Sequence, residues 1–160
     1  MAEIRFEFQI QGLEKFKAQP TRFEQAYREA GREVMIQATA VLARAIVLRF
    51  DKPAAGLPKA VNTGLLRNSV AWRLPKVEGR TIEGGVSTNI AYALPVEFGS
   101  KPHWPPLAPI EFWVRRKLRV PAKRVRSVAF LVARKISRRG TEPRRIFALG
   151  LEDAKPQMRE

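Results

Sequence analysis

The sequence contains no cysteine and a single histidine, His103. Disulfides and thiolate metal sites are thereby excluded, and the nitrogen and sulfur ligands of a zinc site are lacking. Aspartate is almost as scarce: Asp51 and Asp153 are the only ones, and Glu78, Glu83 and Glu97 are scattered along the chain. A magnesium-dependent nuclease needs clustered carboxylates, which this spacing does not supply. Gly84-Gly85 lacks the lysine–serine/threonine continuation of a phosphate loop, and no G-x-S-x-G elbow occurs. Long apolar runs are missing too. The most apolar stretch, 36–48, is interrupted by Arg44 and falls short of the roughly 20 residues of a membrane span. The opening M-A-E-I-R-F-E-F alternates charged and apolar residues, unlike a signal peptide. His103, beside Trp104 in a proline-rich stretch, has no neighbour in sequence to make it a general base, so a surface or interface position is expected for both. Together these absences point to a protein that is not an enzyme and that carries no cofactor or metal.

Negative charge is in short supply, with 15 acidic residues against 30 basic ones and a formal net charge of +15. The excess is uneven. Residues 1–100 carry 14 Lys/Arg and 10 Asp/Glu, whereas residues 101–160 carry 16 and 5. Self-repulsion on this scale works against a compact monomer, so an anionic partner is expected, either nucleic acid or an acidic protein face. At 160 residues and 45% hydrophobic, the chain has material for one core. A single α+β domain is expected over 1–152, with 153–160 as a frayed tail.

Residues 3–11 alternate, Ile4, Phe6, Phe8 and Ile10 against Glu3, Arg5, Glu7 and Gln9, as in a half-buried strand. A long helix is then expected from residue 20 or 21 to 50, with Phe23, Tyr27, Ala30, Val34, Ala38, Val41, Ala45 and Leu48 as its apolar stripe. Residues 51–62 are rich in Pro, Gly and Ala, which marks a candidate mobile segment, and include Leu57, a candidate contact with a subunit or partner. The stretch 62–99 organises the rest. It holds one helical turn with Asn62 or Thr63 as its cap, a strand carrying Val70, Trp72 and Leu74 that Pro75 ends or places on an edge, and a returning strand 81–89. Gly84-Gly85 suggests a bulge or a close backbone approach, and Gly99 closes a short apolar helix. The fold expected is a small antiparallel sheet, made of the N-terminal strand and the central hairpin, packed on one long helix and followed by basic C-terminal helices.

Those helices begin near Pro109 and at Ala122, and a final piece carries Ile146, Phe147, Leu149 and Leu151. In 122–139, Val125, Val128, Ala129, Val132 and Ile136 define a core stripe, while Phe130 and Leu131 fall among the charges. Two readings stand: a solvated basic face with scattered apolar residues, or a second face that meets a neighbouring subunit. The residues expected to face DNA or an acidic partner are Arg115, Arg116, Arg124, Arg134, Lys135, Arg138, Arg139, Arg144 and Arg145. Nothing in the pattern marks a sequence-specific reader such as a helix-turn-helix or zinc finger.

Asn62-Thr63-Gly64-Leu65-Leu66-Arg67-Asn68-Ser69-Val70 resembles the T-G-x-L-R-x-S-I segment of a family of minor tail or tail-completion proteins of siphophage-type, long-tailed bacteriophages. Val86-Ser87-Thr88-Asn89-Ile90-Ala91-Tyr92-Ala93, followed by Val96-Glu97-Phe98-Gly99-Ser100, is similar to that family's V-G-T-N-x-x-Y-A-x-x-x-E-F-G-T segment. Ser87 stands where the family usually has glycine, and the C-terminal part is more basic. The similarity is best over 60–100 and looser over 101–150, where Pro143, Arg144, Arg145, Ile146 and Phe147 match a P-R/K-x-F-like close. The resemblance implies an α+β virion structural protein without catalysis, present in the host cytoplasm during assembly. It further implies a ring, six-fold by expectation, at the head-proximal end of the tail or neck. The partners it implies are copies of the chain, neighbouring neck and tail proteins, and genomic DNA in the channel. A nonspecific basic DNA-binding protein is the alternative, and a small nuclease is disfavoured by the missing acid and histidine clusters.

Overall fold

A computed structural model describes residues 21–52, 61–78 and 81–158. The expected strand 3–11, the arm 53–60 and Leu57 lie outside the described residues. Helix α1 (Thr21–Arg49) leads to the single turn α2 (Leu65–Asn68), then to β1 (Ala71–Glu78) and β2 (Thr81–Ser87). Four helices follow: α3 (Ala93–Phe98), α4 (Leu107–Lys117), α5 (Ala122–Arg139) and α6 (Ile146–Ala154). Among the described residues the architecture is α+β, a long helix against a two-stranded antiparallel sheet with several further helices.

The long helix is where expected, but its buried arc is shifted from the expected stripe. Met35, Thr39, Leu42, Ile46 and Phe50 point inward, Val41 and Ala45 of the expected stripe pack half-buried against the core, and Val34 and Leu48 are exposed. The cause is that 34–48 carries apolar residues around most of the helix, so periodicity alone leaves the inward arc undetermined. Two glycines decide it. A Cβ on Gly84 of β2 would lie 2.6 Å from Met35 Cγ and 2.8 Å from Thr39 Cγ2, and one on Gly150 of α6 would lie 2.8 Å from Ile46 Cα. The backbones of β2 and α6 therefore approach α1 at these points, and only the arc from Met35 to Ile46 can receive them. The buried Thr39 hydroxyl donates back to the carbonyls of Met35 and Ile36, which leaves its methyl facing Gly84.

In the hairpin, Trp72 pairs with Val86 and Val77 with Ile82, and the register shifts between Arg73 and Lys76. Leu74 and Pro75 occupy this bulge opposite Gly84. Proline has no N–H to give a ladder, and a bulge is where a strand tolerates it, so β1 continues through Pro75 instead of ending there. At the far end, Lys76 and Glu78 form an exposed ion pair. Their hydrogen bond, reinforced by the opposite charges, raises the lysine above its ordinary value and lowers the glutamate below its own.

The main core gathers Leu42, Ile46 and Phe50 of α1, Leu66, Val86, Ala93, and Ile146 and Phe147 of α6. Phe50 and Phe147 meet edge to face at 6.5 Å between centroids. A second cluster, Val114, Val125 and Ala129, joins α4 to α5. The expected tail is packed as far as Met158. Ala154 is buried, Met158 lies against the core, and Asp153 pairs with Arg49 and Lys52.

Candidate functional site

The family-like segments turn out to be joints of the fold. Gly64, at φ 85°, holds the cap position of α2 that was expected of Asn62 or Thr63; the Thr63 hydroxyl accepts the Leu65 N–H at 3.3 Å. Ser69 Oγ donates to the Leu66 carbonyl at 2.8 Å. Its proton is thereby committed, so in the 2.6 Å contact between Ser69 and Thr88 the threonine hydroxyl donates. Thr88 Oγ1 in turn accepts the Ile90 N–H at 3.3 Å. This chain of polar contacts ties the first segment to the second and satisfies the buried Thr88.

Glu97 makes the larger joint. It is 2% exposed, and its two carboxylate oxygens accept the N–H groups of Phe147 and Ala148, both at 2.9 Å. These are donors of the first turn of α6, which have no partner within the helix. The residue at the cap position, Arg145, makes no side-chain cap, so a carboxylate from 48 positions upstream supplies one at the positive end of the helix dipole. The backbones reinforce it, with Arg144 N–H donating to the Val96 carbonyl and Arg145 N–H to that of Glu97. One step on, Ser100 and Thr141 exchange both backbone hydrogen bonds at 3.1 Å.

These joints position the surface that carries the charge. Pro106 and Pro121 precede α4 and α5, where a proline's missing N–H costs nothing, and the Val114–Val125–Ala129 cluster closes the pair into a hairpin. Arg115 and Arg116 end α4, and Arg138 and Arg139 end α5, positions that the helix dipole favours. Arg124 sits in the first turn of α5, which the dipole disfavours, so helix stability does not account for it. Arg134 with Arg138, and Lys135 with Arg139, are like charges at i and i+4, each pair costing a few tenths of a kcal/mol. All of these side chains are exposed, and none forms an ion pair among the described residues. Arg144 is half-buried and engaged, and Arg145 is exposed.

The basic residues are not gathered at one point. Arg124 and Arg138 are separated along α5 by about 21 Å at 1.5 Å per residue. The expected contact residues do come together in part. Trp104 packs edge to face on Phe130, with centroids 5.5 Å apart, although each stays about half exposed. Leu131, 60% exposed, shares a shallow depression with Arg134, Lys135, Arg138 and Arg139. His103 is exposed and its Nδ1–H donates to the Lys101 carbonyl at 2.9 Å, which orients the ring. Among the described residues no group of three His, Asp or Glu side chains stands together as metal ligands, and no helix is long and apolar enough to cross a membrane.

Sequence reasoning missed a groove between α3 and α5, of about 540 Å³, lined by Tyr92, Val96, Val132, Lys135, Ile136 and Arg139 among others. Val132 and Ile136 were assigned wholly to the core stripe, yet both are only half-buried. No signal was available for it, because nothing in the order of residues places the Tyr92–Val96 segment beside α5. No protein-family model, curated protein or solved structure matches this chain.

Proposed function

We propose that the chain is a structural subunit of a siphophage-type virion, a tail-completion or neck component that assembles with its own copies as a ring at the head-proximal end of the tail and helps join head to tail. The observation that carries this reading is where the resemblance falls. Ser69, Thr88, Glu97 and Gly99, all inside the family-like segments, are residues on which the fold depends. A likeness at such positions speaks for a shared scaffold more strongly than a likeness on the surface would.

A ring also accounts for the surface in physical terms. Apolar side chains that stay exposed on one chain, Trp104, Phe130 and Leu131, are buried when a second copy covers them. Cations that repel one another on a monomer attract DNA in a channel or an acidic neighbour. Phe130→Ser is expected to lower the self-association constant by about tenfold or more, the scale of losing one aromatic anchor from an interface. Because Phe130 is half exposed, circular dichroism should remain that of the parent. An oligomer mass by light scattering that is unchanged in the variant contradicts the contact.

The like-charge pairs of α5 favour one second reading, a nonspecific DNA-binding protein. Tight binding to free DNA that weakens steeply with salt, by a chain that never self-associates, would replace the ring with that reading.

A further inference from the structure

We propose that the groove between α3 and α5 is a docking site for an acidic segment of a partner protein that carries apolar anchor side chains. This inference stands apart from the virion reading, because it uses only the groove's own chemistry.

The floor is aliphatic. Val96 comes from α3, and Val132 and Ile136 from α5, all half-buried and therefore still able to lose accessible surface to a partner. Covering such a floor is favourable in proportion to the apolar area removed from water, and only an apolar side chain does it well. The α5 wall is cationic. Lys135 and Arg139 lie one turn apart, both exposed, and neither forms an ion pair among the described residues. Their mutual repulsion is relieved by carboxylates placed between them. Tyr92, 45% exposed at the groove, offers a rigid ring with a polar tip, a residue type enriched in protein interfaces.

Glu142, also on the groove, gives the site polarity. Arg144 lines the same side and is itself engaged, so that wall has one acid beside one cation. The α5 wall has Lys135 and Arg139 and no acid, so the partner's carboxylates are favoured over Lys135 and Arg139. A phosphodiester strand fits less well. Its recognition calls for cations along the backbone path and aromatic platforms for successive bases, whereas this floor is aliphatic with a single aromatic ring. The apolar floor and the cationic wall together ask for a chain that alternates anchors with acids.

The test is fluorescence anisotropy with the full chain and a labelled peptide bearing leucines at i, i+3, i+4 and i+7 and glutamates between them. The comparison ligands are a polyglutamate peptide of equal charge and a single-stranded oligonucleotide. The expected result is that the leucine-bearing peptide binds tightest, and that Lys135→Glu with Arg139→Glu weakens it by about tenfold or more. Tyr92→Ala should weaken it several-fold, while Lys123→Glu with Arg126→Glu, exposed on α5 but outside the groove, changes it little. All five positions are exposed, so circular dichroism is expected to show folded variants. The proposal is overturned if the leucines add no affinity over polyglutamate, if both charge reversals weaken binding equally, or if the oligonucleotide binds tighter than the peptide.

Discussion

Glu97→Ala is expected to cost about 3–6 kcal/mol of stability, since hydrogen bonds to a charged group contribute roughly 1.5–3 kcal/mol each and two are lost. For a chain of this size that is a fall in the unfolding midpoint of about 6–24 °C. The cost arises at both ends of the contact. The Phe147 and Ala148 N–H groups at the start of α6 lose their acceptor, and Phe147 is itself 1% exposed, so water cannot replace it without opening the core. Glu97→Gln separates charge and geometry from mere packing. The amide has the same shape but only one acceptor oxygen, so it keeps one bond and turns an NH2 toward the other donor. Its loss should be near half that of alanine. Urea unfolding of the three proteins checks this, and an alanine variant within about 1 kcal/mol of the parent contradicts the capping role.

Gly140→Ala is expected to be nearly as damaging, at about 3 kcal/mol or more, from two additive causes. Gly140 has φ 69° and ψ −155°, a region that only glycine occupies readily, and forcing another residue there costs roughly 1–3 kcal/mol. The added Cβ would also stand 1.9 Å from the Ser100 carbonyl oxygen, which belongs to backbone and cannot swing aside. That oxygen accepts the Thr141 N–H, so relieving the clash pulls apart the Ser100–Thr141 bridge. Gly99 faces the same joint from the other side, with φ 76° and its Cβ position 2.4 Å from the Thr141 carbonyl oxygen. Thermal unfolding followed by circular dichroism reads the effect. A Gly140→Ala protein that unfolds within a degree or two of the parent would mean that the 99–100 and 140–141 segments are not held together as described.

These two residues show what the sequence could and could not disclose. Element positions were legible wherever a local rule governs them. Proline before α5, Gly140 after it, and the apolar repeat from Val125 to Ile136 mark that helix at both ends. Gly84-Gly85 was legible as a bulge or a close approach, and the structure has both there: the register shift lies opposite Gly84, and α1 approaches it closely. The inward face of α1 was not legible, since several arcs of that helix are apolar and the choice lies with glycines 45 to over 100 positions away. Glu97 looked like one scattered acid for the same reason: its partners are the N–H groups of 147 and 148, and main-chain donors leave no mark in the residue order. On the candidate surface, the charges of α5 could be read directly, but the Trp104–Phe130 contact and the α3–α5 groove are tertiary. They depend on the backbone joint at 97–100 and 140–148 that brings those segments side by side.

The central claim, a subunit of the head–tail junction, is tested most directly on tailed particles produced from the genome that encodes this chain. Mass spectrometry of purified particles, with antibody labelling viewed by electron microscopy, would locate it. The account predicts that the chain is present in a few copies per particle, consistent with one ring, and that label collects where the tail meets the head. Its absence from purified particles, or label along the tail shaft or on the capsid faces alone, would contradict the account.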